Sequence, residues 1–440
     1  MHRASLSVFR ARTRRAFRQF TWGGDWAISL PSQIKQNLQW FFFDGLFASA
    51  SDNIVITYLV LYILALGATR TQIGLMSSLS SLTVALLLLP GAILVERYGH
   101  RQQLTLMFGG GIARLVLLVL ACLPFFLHGQ LLVLAAMAFS ICRDAFGNLA
   151  FPAWMSVTGD IVPMEGRGRY FGSRNFIMGI AGMVVIYLVG ELITGTVPPY
   201  GYQVALGLAF LLGAFSTYSF SRIRDPKGKA PIPAEGSLSF KTVLNDMKGH
   251  PAFISLCLVM VMWNFSVNIA GPFFNVYMVQ NLKFTASMVG ITSIVSTVAG
   301  LVVQRWIGHL SDRLGSRKVM LISMMLIPLL PALWVFITRF WQVIALNSFG
   351  GMAWGAFNLV SFNFLLSLTP PAQRARYSAI FQIMVTLALA GGAAFGAWVV
   401  TQWNYQAIFA CSAIGRIIAM IMFARMLPTS SEKEAALAQA

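Results

Sequence analysis

Twelve apolar runs, at 41–66, 72–94, 104–127, 131–153, 170–193, 202–220, 252–279, 287–307, 319–336, 341–368, 377–400 and 406–426, leave this sequence few ways to fold. About 20 consecutive apolar residues cross a hydrocarbon core as a helix. No water reaches the backbone there, so each run must satisfy its own hydrogen bonds, as a helix does. The chain is 57% hydrophobic and 10% charged, whereas soluble proteins carry about 25% charged residues. The expected fold is an all-α integral membrane protein with twelve transmembrane helices.

The breaks between runs are short except at 221–250, which is polar, basic and rich in Pro and Gly. It separates six runs from six. The expected organisation is a basic segment at 1–36, a six-helix bundle at 37–220, a linker at 221–250, a second six-helix bundle at 251–426 and a tail at 427–440.

A net charge of +18 points first to nucleic acid, but the placement of the charges argues otherwise. Of 32 Lys and Arg, 26 fall in segments on one side of the expected membrane. Three (Arg70, Lys283 and Arg339) fall on the other, and three (Arg114, Arg143 and Arg416) are embedded near the middle of runs; Arg174, Arg305 and Arg425, near run ends, are counted with the cytoplasmic segments. This asymmetry follows the positive-inside rule, which puts both termini and the linker in the cytoplasm. Lipid is therefore the expected partner, and nucleic acid is not. The long basic leader, with Asp44 behind it, does not fit a cleaved signal peptide. Its FRARTRRAFRQF stretch at 9–20 is expected to lie along the membrane surface.

Several chemistries find no support. No phosphate-binding GxxxxGK[ST] loop is present. Cys122, Cys142, Cys257 and Cys411 sit inside apolar runs without metal-ligand spacing, and the five His are terminal or near loops. No Ser-His-Asp set shares one depth. The chain is not expected to be an enzyme or to hold a metal.

The two halves repeat. At a shift of 216 residues, Leu66, Thr69, Gly74, Ser77, Ser80, Leu94, Arg97, Gly99 and Arg101 meet identical residues, ending at Arg313, Gly315 and Arg317. Glu96 meets Asp312. At a shift of 207, Pro163, Arg167, Arg169 and Tyr170 meet Pro370, Arg374, Arg376 and Tyr377. Rare charged residues seldom coincide by chance in chains this apolar.

The duplicated loop, VERYGHRQ at 95–102 and SDRLGSRK at 311–318, resembles the G-x-x-x-D-R-x-G-x-R-K loop of the major facilitator superfamily. The second copy fits from Gly308 to Lys318. The first has Ala92 at the leading Gly place, Glu96 for Asp and Gln102 at its end. Asp160, followed by Pro163 and Arg167-Gly168, is similar to the family's acidic stretch after span 4. The resemblance implies two pseudo-symmetric six-helix bundles and alternating access. It also implies that Glu96, Arg101, Asp160, Asp312 and Arg317 latch spans 2 to 11 and 5 to 8, with Arg97 and Arg313 beside them. Gly99 and Gly315 allow the tight turns. The first copy, having lost its Gly register and its Asp, is expected to be the weaker latch. The stretch WMSVTGDIVPMEGRGRYFGSRN after span 4 resembles a poorly characterised bacterial branch, which implies the bacterial inner (plasma) membrane as the location.

An embedded charge costs roughly 2.5–3.5 kcal/mol at a helix centre, so each one needs a reason. Asp52 is the twelfth of 26 residues in its run, and Arg143 the thirteenth of 23, with Asp144 beside it. In the family, spans 1, 4, 7 and 10 line the central cavity, which directs Asp52, Arg143 and Asp144 toward a site. Spans 3 and 12 lie outside, which implies structural roles for Arg114 and Arg416, with an inward reach to pair left open for either. The 216-residue shift carries Asp52 onto Asn268. Asn264 and Trp263 lie a turn earlier, and Trp354 and Asn358 share a face of span 10. Amides give directional hydrogen bonds and Trp a flat wall, which suits a polar organic solute.

Three roles stay open for Asp52: a proton-coupling group, a permanent partner of Arg143, or a solute contact alone. The expected function is a monomeric secondary transporter of a small organic solute, with no cofactor beyond a coupling proton. Arg143 and Gly147 resemble the R-x-x-x-G motif of drug–proton antiporters, so export of drugs or amphiphiles is one alternative. A lipid flippase and a non-transporting sensor are the others.

Overall fold

The computed structural model describes residues 21, 22, 24–225, 251–368 and 374–427. Among these, twelve helices are long and apolar enough to cross a membrane. The first six are α1 (Ser32–Ala65), α2 (Arg70–Tyr98), α3 (Arg101–Phe125), α4 (Gly129–Ile161), α5 (Arg167–Thr194) and α6 (Tyr200–Ser221). The second six are α7 (Pro251–Gln280), α8 (Ala286–Leu314), α9 (Arg317–Trp334), α10 (Phe340–Ser367), α11 (Arg374–Gln402) and α12 (Tyr405–Met426). The all-α, twelve-span fold expected from the apolar runs is the one that forms.

The helices gather into two compact units. The first contains α1, residues 86–98 of α2, and α3 to α6. The second contains α7 to α12 together with residues 67–85, which include the start of α2. In the first unit α1 lies along α5 and α6. In the second, α7 lies along α11 and α12. The first helix of each half thus has the same neighbours, as the internal repeat requires.

Lipid offers helices little hydrophobic reason to associate, so close packing depends on small residues. In the second unit α8 and α10 meet this way. A Cβ added at Gly355 would sit 2.9 Å from the Gly300 carbonyl oxygen. Large apolar side chains, such as Leu86 and Phe215 in the first unit and Leu301 and Phe336 in the second, are exposed, as a chain solvated by lipid allows.

α1 begins at Ser32, well before the apolar run at 41. Its polar first turns are used for binding rather than for spanning. The Asn37 amide donates to the Arg224 carbonyl (2.8 Å) and accepts from the Arg224 N–H (3.0 Å). Gln102 Nε2 donates to the Ile223 carbonyl at 2.6 Å. The chain leaving α6 is therefore fastened to the bundle.

The segment before α1 is also docked. A 3₁₀ turn at Asp25–Ser29 buries Ala27 completely, and Trp22 and Trp26 pack on Leu38, Phe41, Val157, Tyr170 and Phe220. The expected surface stretch at 9–20 lies outside the described residues.

Candidate functional site

Two arginines from different helices converge on Asp52 of α1. Arg114 of α3 donates from Nη1 to Asp52 Oδ1 at 2.6 Å and to Ser51 Oγ at 3.0 Å. Arg143 of α4 donates from Nη2 to the same Oδ1 at 3.3 Å, and from Nη1 to Asp144 Oδ1 at 3.0 Å. The chain of charges Arg114–Asp52–Arg143–Asp144 crosses three helices and sums to zero. Neutrality lowers the cost of keeping four charges at membrane depth. The carboxylate side chains of Asp52 and Asp144 are 41% and 31% exposed, the guanidinium side chains of Arg114 and Arg143 only 13% and 18%. The carboxylates are thus the more accessible members of the chain.

The sequence directed Asp52, Arg143 and Asp144 toward one site and gave Arg114 a structural role with an inward reach left open; Arg114 does reach inward to pair with Asp52. Two local features bring it in. An eight-residue π-helical stretch, Thr105–Ile112, lies just before Arg114. Its wider turns change the face on which later residues emerge, and such bulges recur at functional sites. Gly109, Gly110 and Gly111 lie within this stretch, where Thr217 Oγ1 donates to the Gly110 carbonyl (3.1 Å). Gly213 of α6 then leaves room for the Arg114 stem: an added Cβ would come within 2.6 Å of Arg114 Cδ. Gly213→Ala is expected to displace Arg114 and lower stability by about 1–3 kcal/mol, the usual cost of overpacking. Thermal unfolding in detergent, with the same substitution in an Arg114→Ala background, checks this. The penalty should shrink when the arginine is gone.

A second embedded pair lies nearer the start of α1. Ser216 Oγ donates to Asp44 Oδ1 at 2.7 Å, and Arg174 Nη2 stands 3.8 Å from Asp44 Oδ2. The Arg174 guanidinium also stacks 4.1 Å over the Phe41 ring and donates to the Phe41 carbonyl. The charge count by segment placed Arg174 in a cytoplasmic loop. It is instead buried inside the first unit, because Asp44 needs a cation within reach.

In the second unit the predicted polar groups divide. Asn268 Nδ2 donates to the Leu389 carbonyl of α11 at 2.7 Å, and Asn264 Nδ2 to the Met260 carbonyl at 2.8 Å. Trp263 is fully buried and stacks on Phe357, with ring centroids 5.1 Å apart. Its ring is a core contact and offers no open wall. Trp354 packs edge-on against Phe357 but stays half-buried, and Asn358, one turn on, is exposed. These two residues keep the stacking surface and the amide expected of span 10. Arg416 of α12 is buried and donates to the carbonyls of Val267 and Ile327, both at 3.4 Å.

The duplicated loop ties down the sixth helix of each half. Gly99 and Gly315 have φ of 68° and 80°. Arg101, 1% exposed, donates to Asp160 (2.5 Å), to Ser156 Oγ (3.0 Å) and through Nε and Nη2 to both oxygens of Asp225, just past α6. Its repeat partner Arg317 donates to the Leu427 and Ala424 carbonyls at the end of α12. Arg101, Asp160 and Arg317 are thus engaged inside their own units, because the sixth helix of each half ends beside the loop. Among the described residues Arg101 meets carboxylates and Arg317 meets backbone carbonyls, and Asp225 was not anticipated. Arg97 and Arg313 are exposed, and the side chains of Glu96 and Asp312 lie outside those described.

Twelve spans in two repeated bundles, with a neutral chain of ions deep in one of them, define a polytopic membrane transporter. The sequence profile of the Major Facilitator Superfamily matches residues 41–276 and 256–440. The chain belongs to that superfamily. It is 23% identical over 415 residues, 89% of its own length and 97% of the relative's, to the multi-drug resistance efflux pump PmrA of Streptococcus pneumoniae serotype 4. Among solved structures it resembles a bacterial homologue of the iron transporter ferroportin in an inward-facing state (TM-score 0.70, 13% identity, 90% of this chain and 99% of the other). It also resembles a D-xylose–proton symporter (0.68, 12%, 90% and 98%) and the nucleoside transporter NupG (0.67, 15%, 89% and 98%). At these identities the likeness is one of fold.

Proposed function

We propose that this transporter is a secondary active carrier that moves a small organic solute by alternating access, driven by a proton that binds at Asp52. The observation that carries the reading is the Arg114–Asp52–Arg143–Asp144 chain, with its carboxylates on the open side and its guanidinium groups covered. A proton on Asp52 removes the acceptor shared by two arginines. It frees Arg143 to turn toward Asp144 or toward solute, so protonation and solute contact are linked through one side chain. Trp354, Asn358 and Asn264 supply the stacking and amide contacts of the second half. The charge asymmetry supports an inner-membrane orientation with both termini in the cytoplasm.

A thermal-stabilisation screen of purified protein across sugars, amino acids, nucleosides and drugs identifies the solute class. Uptake into proteoliposomes under an imposed pH gradient then tests the coupling. Transport that ignores the gradient for every stabilising compound would rule out the proton-driven reading.

Export of amphiphiles is the second reading, favoured by the likeness to an efflux pump over 89% of this chain. It predicts that the stabilising compounds are large, apolar cations, and that cells expressing the protein retain less of them.

A further inference from the structure

A second polar site lies away from the ion chain, in the second unit. Of 32 Lys and Arg, only Arg70, Lys283 and Arg339 fall on the face that the charge asymmetry assigns to the outside. Two of these three line one cavity of about 600 Å³, together with Thr71, Gln280 and Thr401. On a face otherwise cleared of cations, sharing one cavity sets these two apart.

The backbone singles out Lys283 as well. It has φ of 59° and is the one non-glycine residue with positive φ among those described. At the 216-residue repeat shift its counterpart is Gly67, with φ of 101°. One half therefore has the glycine that this conformation favours, while the other has a lysine in a disfavoured backbone. Strain of this kind persists where the side chain has a use.

Arg70 is held ready. Its Nε donates to Gln280 Oε1 at 3.0 Å, and its guanidinium lies 4.4 Å over the Tyr405 ring. The Tyr405 hydroxyl donates to the same Gln280 oxygen at 2.9 Å. This fixes the plane of the guanidinium without using its two Nη groups. Among the described residues the ion pairs join Arg101, Arg114, Arg143 and Arg174 to carboxylates, and none involves Arg70 or Lys283. Thr401 Oγ1 donates to the Ala397 carbonyl at 2.7 Å and stands 2.7 Å from Thr71 Oγ1, so the two cations are the groups on this wall left to meet an anion.

We propose that this cavity is an anion-binding site for a carboxylate or phosphate group. The planar fork of Arg70 and the mobile ammonium of Lys283 suit the two sides of such a group. The chemistry is shared by free organic anions and by the headgroups of anionic lipids. The outward placement rests on the charge asymmetry, but the binding does not, and it needs no knowledge of the transported solute.

The test is thermal unfolding of the purified full chain at low ionic strength, titrated with inorganic phosphate or succinate. A parallel arm compares nanodiscs with and without phosphatidylglycerol. Stabilisation of the wild type is expected in at least one arm, with half-saturation weakened at least about tenfold in Lys283→Gly and Arg70→Gln. Lys283→Gly is also expected to unfold at a higher temperature than wild type without anion, since it relieves the backbone. That gain separates loss of a ligand from loss of the fold. Response to soluble anions assigns the site to a free solute, and response to phosphatidylglycerol alone assigns it to lipid. No response in either arm, or equal responses in wild type and both variants, overturns the proposal. Because binding is read without transport, that failure is distinct from failure of proton coupling at Asp52.

Discussion

Asp52→Asn protein in proteoliposomes is expected to exchange solute but not to accumulate it against an imposed pH gradient. Asparagine keeps the shape of the side chain and one oxygen for Arg114, now 2.6 Å away. The stability loss should stay near 1 kcal/mol, because the site is partly open to solvent. The change in coupling is larger. With one proton per solute, a gradient of one pH unit is worth about 1.4 kcal/mol and sustains about tenfold accumulation. The variant should lose that factor while counterflow continues, and Asp52→Glu should recover part of it. Unchanged pH-driven accumulation in Asp52→Asn removes Asp52 from the coupling role. Loss of counterflow as well assigns it to solute contact or to pairing with the arginines.

The second large effect belongs to Arg101. Arg101→Ala removes from Asp160 and Asp225 the guanidinium that bridges them, and the side chain of Asp225 is only 7% exposed. Removing one member of a buried ion pair costs about 3–5 kcal/mol. Most of that cost is the lost compensation of two carboxylate charges, so adding Asp160→Asn and Asp225→Asn should restore part of the melting temperature. Arg317→Ala should cost about 1–2 kcal/mol, since its acceptors are carbonyls at a helix end. Equal losses at the two arginines would show that the carboxylates contribute nothing.

The twelve spans were readable because lipid demands long apolar runs, a property of composition that survives without any knowledge of packing. The start of α1 was not, because Gln33, Lys35 and Asn37 look like loop residues until Arg224 is seen against Asn37. The candidate site was readable in part. A charge at membrane depth announces itself, and this placed Asp52, Arg143 and Asp144. What the sequence withholds is which embedded charges meet. Arg114 lies at a matching depth, but its direction depends on a π-helical stretch and on the missing side chain of Gly213. Arg174 was counted with a loop because it lies near the end of a run, and only the fold brings it to Asp44. Trp263 and Trp354 carry the same chemistry, and only packing tells the buried ring from the half-buried one.

The arginine of the first duplicated loop bears on the order in which the protein is made. Arg101 enters the membrane region after three helices have begun, and Asp160 follows when α4 is complete. Its last partner is Asp225, just beyond α6. The other ion pairs of this half, Arg114 and Arg143 with Asp52, Arg143 with Asp144, and Arg174 with Asp44, also close before that point. During vectorial synthesis the first half can therefore neutralise these embedded charges once residue 225 has emerged. Each of these pairs is made of first-half groups, before the second half is translated.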